Sequence, residues 1–278
     1  MHVAELWQYP VKSMIGILRP EATITTTGVA GDRAWALRDE ERGGIRGAKK
    51  LGDLMKFSAH TTDGGAVEIV LPDGAVVRST DVDVDARLSE ALGHRVSLWP
   101  LQPVDDLAHY RRGPADHADP IDELREIFGR EPDEPFPDFT IFPPEIMEYE
   151  SPPGTYLDAF PLLVMTTSAL RSLRLALPDS VVDIRRFRPN LVVDTGDEQG
   201  HPEFEWVGNR LSIGGVVLDI AARCPRCVMV TREVSADIPQ DRAVLRHVVR
   251  ELDQNVGVYA TVVSPGSVAV GDEVRLSR

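Results

Sequence analysis

The chain has 278 residues, 42% of them hydrophobic, which is enough for one large or two medium domains with a real core. Its 44 Asp and Glu outweigh 30 Lys and Arg, and a formal charge of -14 works against nucleic acid and anionic lipid at long range. No apolar run reaches the ~20 residues needed to span a bilayer. Met1 opens no charged-then-apolar leader, because Glu5 and Lys12 interrupt the first segment. A soluble, cytoplasmic protein without nucleic-acid or membrane partners is the expectation.

Residues 1 to about 100 read mostly as β. Short runs rich in Val, Ile, Thr and Trp predict strands at Val3–Tyr9, Ala22–Thr27, Arg33–Arg38, Val67–Leu71, Ala75–Ser79 and Arg95–Pro100. Pro72-Asp73-Gly74 predicts a hairpin turn. One helix interrupts, with Asp83 as its cap, Val84, Leu88, Ala91 and Leu92 on one face and Gly93 as the stop.

Residues 101–156 change character, with ten prolines between Pro103 and Pro153, too many for long regular elements. One short helix is expected at Pro120–Phe128, capped by Asp119. A bare linker is the plain reading. Phe136, Phe139, Phe142 and Tyr149 argue instead for a connector packed on something.

Residues 157–278 resume strands, at Leu162–Met165, Leu191–Asp194, Gly215–Ala222, Val228–Thr231, Val258–Val263 and Val274–Leu276. Thr167 or Ser168 should cap a helix carrying Leu170, Leu173 and Leu177. A second helix after Pro239 places Val244, Leu245, Val248, Val249 and Leu252 on one core-facing stripe. The pattern predicts a mainly β, α+β chain of closed or nearly closed barrels with covering helices, not a doubly wound sheet.

Cys224 and Cys227, in Cys224-Pro225-Arg226-Cys227, are the only cysteines, at the end of an apolar strand with Arg223 and Arg226 beside them. Neighbouring guanidinium groups favour a thiolate, which is both nucleophile and soft metal ligand. A structural zinc site needs four ligands, and the seven histidines are scattered singly. A thioredoxin-type dithiol belongs at a helix N-terminus, whereas Val228–Thr231 reads as a strand. One cysteine, more readily Cys224, fits a small buried hydrophobe.

Polar clusters sit where strands end: Tyr9-Pro10-Val11-Lys12-Ser13, Gly31-Asp32-Arg33, Phe187-Arg188-Pro189-Asn190, and the arginines flanking the thiols. In an acidic chain such cations suggest an anion pocket if they converge, Arg binding phosphate bidentately and Lys as a point charge. Taken singly, each is more readily a surface group.

These segments, in this order and rough spacing, together with Ser264–Val274 at the end, resemble the MOSC family, named for the C-terminal domain of molybdenum cofactor sulfurases. The resemblance implies a MOSC N-terminal β-barrel at 1–100, a Pro-rich connector at 101–156 and a MOSC domain at 157–278. It further implies a molybdenum cofactor (molybdopterin) site. By similarity to amidoxime-reducing members, Cys227 would ligate the metal and act as the catalytic group. Lys12, Ser13, Arg33, Arg188, Asn190, Arg226 and Tyr259 would hold the cofactor.

The implied activity is reduction of N-hydroxylated small molecules. Two cysteines cannot bind a four-cysteine iron–sulfur cluster, and no nucleotide-binding fingerprint is visible, so electrons would come from a separate electron-transfer protein. The alternatives are a sulfur carrier with a persulfide on Cys227, a carrier of the cofactor itself, or a barrel that binds an anionic metabolite.

Overall fold

The computed structural model describes residues 1–277. The first part comprises β1 (His2–Gln8), β2 (Ile17–Arg19), β3 (Glu21–Thr25), β4 (Gly28–Val29), β5 (Trp35–Asp39), β6 (Ser58–Thr61), β7 (Val67–Val70), β8 (Val76–Arg78), α1 (Val84–Leu92) and β9 (Val96–Pro100). The middle holds α2 (Leu107–Tyr110) and α3 (Pro120–Phe128). The last part comprises β10 (Leu162–Thr166), α4 (Thr167–Ala176), β11 (Leu191–Asp194), β12 (Arg210–Ile213), β13 (Val216–Pro225), α5 (Arg242–Glu251), β14 (Asn255–Ser264), β15 (Gly266–Ala269) and β16 (Val274–Ser277). The fold is mainly β with covering helices, as expected.

Strand pairing joins the first part to the last. The main sheet runs β16-β12-β13-β14-β10-β11-β1-β2, so the first two strands complete the sheet of the last part. β15 likewise pairs with β3, Val268 opposite Ala22. β5 pairs with β9, and β6-β7-β8 form a separate meander. The meander and α1 close one core around Phe57, Ile69, Val77 and Leu88. The main sheet has apolar clusters that include Leu6 and Leu218 in one and Trp7 and Val248 in another.

Local signals explain most elements. α3 starts at Pro120 with the Asp119 carboxylate accepting from Ile121 N, and ends at Gly129 in the left-handed region. The turn at Pro72-Asp73-Gly74 joins β7 to β8. Two expectations need correction. The cap of α4 is Thr166, whose hydroxyl accepts from Ala169 N at 3.1 Å, not Thr167 or Ser168. Val228–Thr231 is one 3-10 turn, not a strand. β13 ends at Pro225, whose partner Asn255 is the first residue of β14, so the β13–β14 ladder stops before Val228–Thr231. The turn closes on itself, with Val230 N donating to Cys227 O and the Thr231 hydroxyl to Val228 O.

Residues 101–156 are not a bare linker. Tyr110, Tyr149 and Tyr156 form a buried cluster with Ala36 and Ile45. Arg130, buried, donates to Arg226 O at 3.1 Å and to Gln254 Oε1 at 2.9 Å.

Candidate functional site

A cavity of about 520 Å³ opens between the first part, the connector and the main sheet. That is within the range of small-ligand sites. Its wall brings together Arg33, Arg188, Asn190, Arg226, Cys227 and Tyr259, six of the eight residues singled out in the sequence. Eight Arg and Lys side chains line it against three carboxylates, Glu123, Glu150 and Asp158, although the whole chain carries -14. Five of these cations pair with carboxylates on or behind the wall, whereas Arg186, Arg188 and Arg226 pair with none among the described residues, so the wall keeps uncompensated positive charge inside an acidic chain.

Tyr9 organises the cation cluster. Its hydroxyl donates to Pro189 O at 2.9 Å, and its N–H donates to Asp32 Oδ1 at 2.6 Å. The guanidinium of Arg188 lies 4.4 Å from the Tyr9 ring centre and that of Arg33 4.9 Å. Asn190 donates to Asp32 Oδ2 at 3.0 Å and accepts from Arg33 at 3.3 Å. Three distant loops thus meet on one aromatic ring. Ser13, Arg33 and Arg188 are three of the five non-glycine residues with positive φ among the described residues, at 70°, 46° and 58°. Such backbone costs about 1–3 kcal/mol per residue and persists where surrounding contacts over-determine it.

Burial pushes the Arg188 pKa down to about 10, and the neighbouring Arg33 charge pushes the same way. Arg188 makes a hydrogen bond to Met14 O, and no carboxylate pairs with it among the described residues. A further anion in this corner would offset that cost.

Lys12 and Ser13 lie behind the wall, not on it. Lys12 Nζ is buried and donates to Asp158 Oδ1 at 2.9 Å, Tyr156 O at 3.0 Å and Ser151 Oγ at 3.2 Å. Its three protons are thereby used within the protein. Ser13 Oγ accepts from Ala48 N at 2.9 Å. A Cβ on Gly47 would meet that oxygen at 2.6 Å, so the loop's close approach needs glycine. This contact fixes the Arg46–Lys50 loop, which carries Lys49 to the cavity wall.

Lys49 was missed by sequence reasoning. Its ammonium lies 3.3 Å from Asp158 Oδ1. Desolvation lowers its pKa, but Asp158 and Cys227 outweigh this and hold it above the usual lysine range. Around Asp158 desolvation opposes ionisation, yet Lys12 and Lys49 keep its carboxyl well below the usual range. The available signal was the run Arg46-Gly47-Ala48-Lys49-Lys50, a cationic loop with one glycine in an acidic chain.

The two thiols differ. Cys224 is buried, with Arg226 donating to its sulfur at 3.1 Å. Burial pushes its thiol pKa up despite Arg226. Cys227 is only partly buried and stands at the start of the Val228–Thr231 3-10 turn, against the edge of the first core. Arg223 does not attend either thiol as expected. Its guanidinium lies over Phe204 at 4.7 Å and 3.8 Å from Glu205. The cations that feel Cys227 are Lys49, Arg130 and Arg226. The group of metal-ligand type found among the described residues, His117, Glu123 and Glu126, contains neither cysteine. Tyr259 stays protonated, burial raising its pKa well above the usual range.

The donor set fits a phosphate-bearing group with a soft metal. A thiol lines the cavity, guanidinium and ammonium groups line it too, and Arg226 Nε is buried without a partner among the described residues.

A β-rich fold with a single accessible thiol in a cationic cavity defines a class that the family comparisons identify. The profile of the MOSC N-terminal β-barrel domain matches residues 1–110, and that of the MOSC domain matches residues 153–275. Together they account for most of the chain, which belongs to the MOSC family. It is 24% identical, over 99% of its length and 82% of the relative's, to mitochondrial amidoxime-reducing component 1 of Homo sapiens. It is likewise 24% identical to mitochondrial amidoxime reducing component 2 of Bos taurus, over 98% of this chain and 82% of that one. Among solved structures it is similar to the YuaD protein from Bacillus subtilis, with 12% identity, a TM-score of 0.46, and 100% and 96% of the two chains covered. Among the described residues no helix is long and apolar enough to cross a membrane.

Proposed function

We propose that this chain is a molybdenum-cofactor-dependent reductase of N-hydroxylated small molecules, supplied with electrons by a separate protein. The observation that carries this reading is the convergence of Cys227 with Arg33, Lys49 and Arg188 in one cavity of an acidic protein. The 24% identity to amidoxime-reducing components, over nearly the whole chain, supports the same chemistry.

In this reading Cys227 is the protein's ligand to the metal, and Arg33, Arg188 and Lys49 hold the cofactor's phosphate. When bound, the cofactor supplies the two-electron redox chemistry that cleaves an N–O bond. The net reaction consumes two electrons and two protons and releases the reduced base and water. The chain's own groups bind and orient. Arg188 and Arg33 are aimed from the Tyr9 ring, and Asn190 fixes Arg33 through Asp32. Arg226 donates to Phe187 O at 2.7 Å and so ties the cysteine loop to the Phe187–Asn190 loop. Tyr259, protonated, lines the cavity with its hydroxyl directed at Cys224. Lys12 acts through Asp158, which it holds ionised beside Lys49.

The test uses full-length protein made in a host that supplies the cofactor. Molybdenum-loaded protein should reduce an amidoxime with reduced viologen and should not do so with a nicotinamide cofactor alone. Absence of viologen-driven turnover, with cyanide-releasable sulfur on Cys227 and no molybdenum, would overturn the reading in favour of a sulfur carrier.

A further inference from the structure

Residues 111–152 lie outside both family profiles, yet they build one side of the cavity. Leu124, Ile127 and Phe128 come from α3, and Phe139, Phe142 and Ile146 from the Pro-rich stretch after it. All six are only partly buried. The rings run in a row: Phe128 to Phe139 at 5.6 Å between centres, Phe139 to Phe142 at 6.4 Å, and Phe142 to Tyr259 at 6.5 Å. Phe160 closes the row, stacked on Tyr259 at 4.7 Å. An aromatic row thus runs along the cavity wall to Tyr259 on β14, which pairs with the strand that carries Cys224.

The segment is anchored next to the thiols. Arg130 donates to the carbonyl of Arg226, the residue before Cys227. Glu131 and Glu134 pair with Arg250 and Arg246 of α5, and Glu123 with Lys50 of the loop that carries Lys49. Anchoring at both ends holds the ring faces in place without burying them completely. Half-exposed aromatic faces on a fixed frame gain contact area when a flat apolar group covers them.

We infer that residues 120–146 form a substrate subsite that selects molecules with a planar apolar body carrying a compact polar head. The inference rests on the reading that the cavity takes N-hydroxylated compounds. The polar head lies toward the Cys227 end, and the body lies on Phe139 and Phe142. The connector, and not the part of the chain matched by the family profiles, then sets which compounds are accepted.

The experiment compares two amidoximes that share a head group, benzamidoxime and acetamidoxime. Dissociation constants are measured by calorimetry on the full chain as wild type, Phe139→Ala, Phe142→Ala and Phe142→Leu. Benzamidoxime should bind wild type roughly tenfold or more tightly than acetamidoxime. Each alanine variant should lose several-fold in benzamidoxime affinity with acetamidoxime unchanged, and Phe142→Leu should recover part of the loss. Equal binding of the two probes by wild type, binding of neither, or alanine variants that leave the preference intact would overturn the subsite. Molybdenum content is measured on the same samples. Discrimination between probes without molybdenum would remove the redox reading alone, and molybdenum without discrimination would remove the subsite alone.

Discussion

Arg188 is held at a cost that an anion in the cavity would offset. It is buried, has a left-handed backbone, lies over Tyr9 and has a pKa lowered to about 10 by burial and by Arg33. A charged hydrogen bond to phosphate contributes roughly 1.5–3 kcal/mol. Arg188→Ala should therefore lower pterin occupancy about tenfold or more at limiting cofactor, measured by pterin fluorescence after denaturation. Unchanged occupancy would remove Arg188 from the phosphate site. Lys12 should behave differently. Its protons are taken up by Asp158, Tyr156 and Ser151, so Lys12→Met should mainly cost stability, about 1–3 kcal/mol in urea unfolding, with a smaller loss of pterin than Arg188→Ala. A variant with normal stability and no pterin would return Lys12 to direct phosphate contact. Arg33, Arg188, Asn190 and Cys227 were legible because each sits in a short motif at a strand end. Lys49 was not, because its position depends on the Ser13–Ala48 hydrogen bond between segments 35 residues apart.

Elements were legible where the signal was local. α3 follows from its Asp-Pro start and Gly stop, and the β7–β8 hairpin from its turn. Val228–Thr231 was misread because a β-branched run has strand propensity, but the β13–β14 ladder stops before it, at Pro225. The connector's role was only partly legible. Its aromatics signalled packing, but not that they face a cavity. Its attachment to the first part runs through Asp116, which pairs with Arg42, Arg46 and Lys50 at 2.7, 2.7 and 3.0 Å. Desolvation opposes the Asp116 charge, but Arg46 and Lys50 hold its pKa down at about 2. Its pKa is lower folded than unfolded, so its contribution is complete above the ordinary aspartate range near pH 4 and is lost as pH falls through about 2. Asp116→Asn should lower stability by about 2 kcal/mol at pH 7, with the gap to wild type closing between about pH 4 and pH 2. Urea unfolding at pH 7, 4 and 3 measures this. A gap that does not change with pH would mean that Asp116 acts through shape alone.

At the scale of the molecule, the two family segments share their sheets. β1 lies beside β11, with Leu6 opposite Leu191, and β3 lies beside β15. Residues 157–278 produced alone should therefore fail to fold, because Val3, Leu6 and Ile24 belong to their core. A cooperative thermal transition and dispersed amide signals from that fragment would contradict this. Pairings across some 250 residues leave no mark in local periodicity, so the mainly β class was legible and this crossover was not. The charge distribution has the same character. The sequence shows a net -14, while only the fold collects Arg33, Lys49, Arg112, Arg188 and Arg226 on the wall of one cavity that Cys227 also lines. The most direct test of the account is molybdenum content, measured by mass spectrometry on wild type, Cys224→Ala and Cys227→Ala purified from a cofactor-competent host. Wild type should hold molybdenum, Cys224→Ala should keep most of it, and Cys227→Ala should lose it while unfolding at the same temperature. Equal molybdenum in wild type and Cys227→Ala would contradict the assignment of Cys227 as the metal ligand.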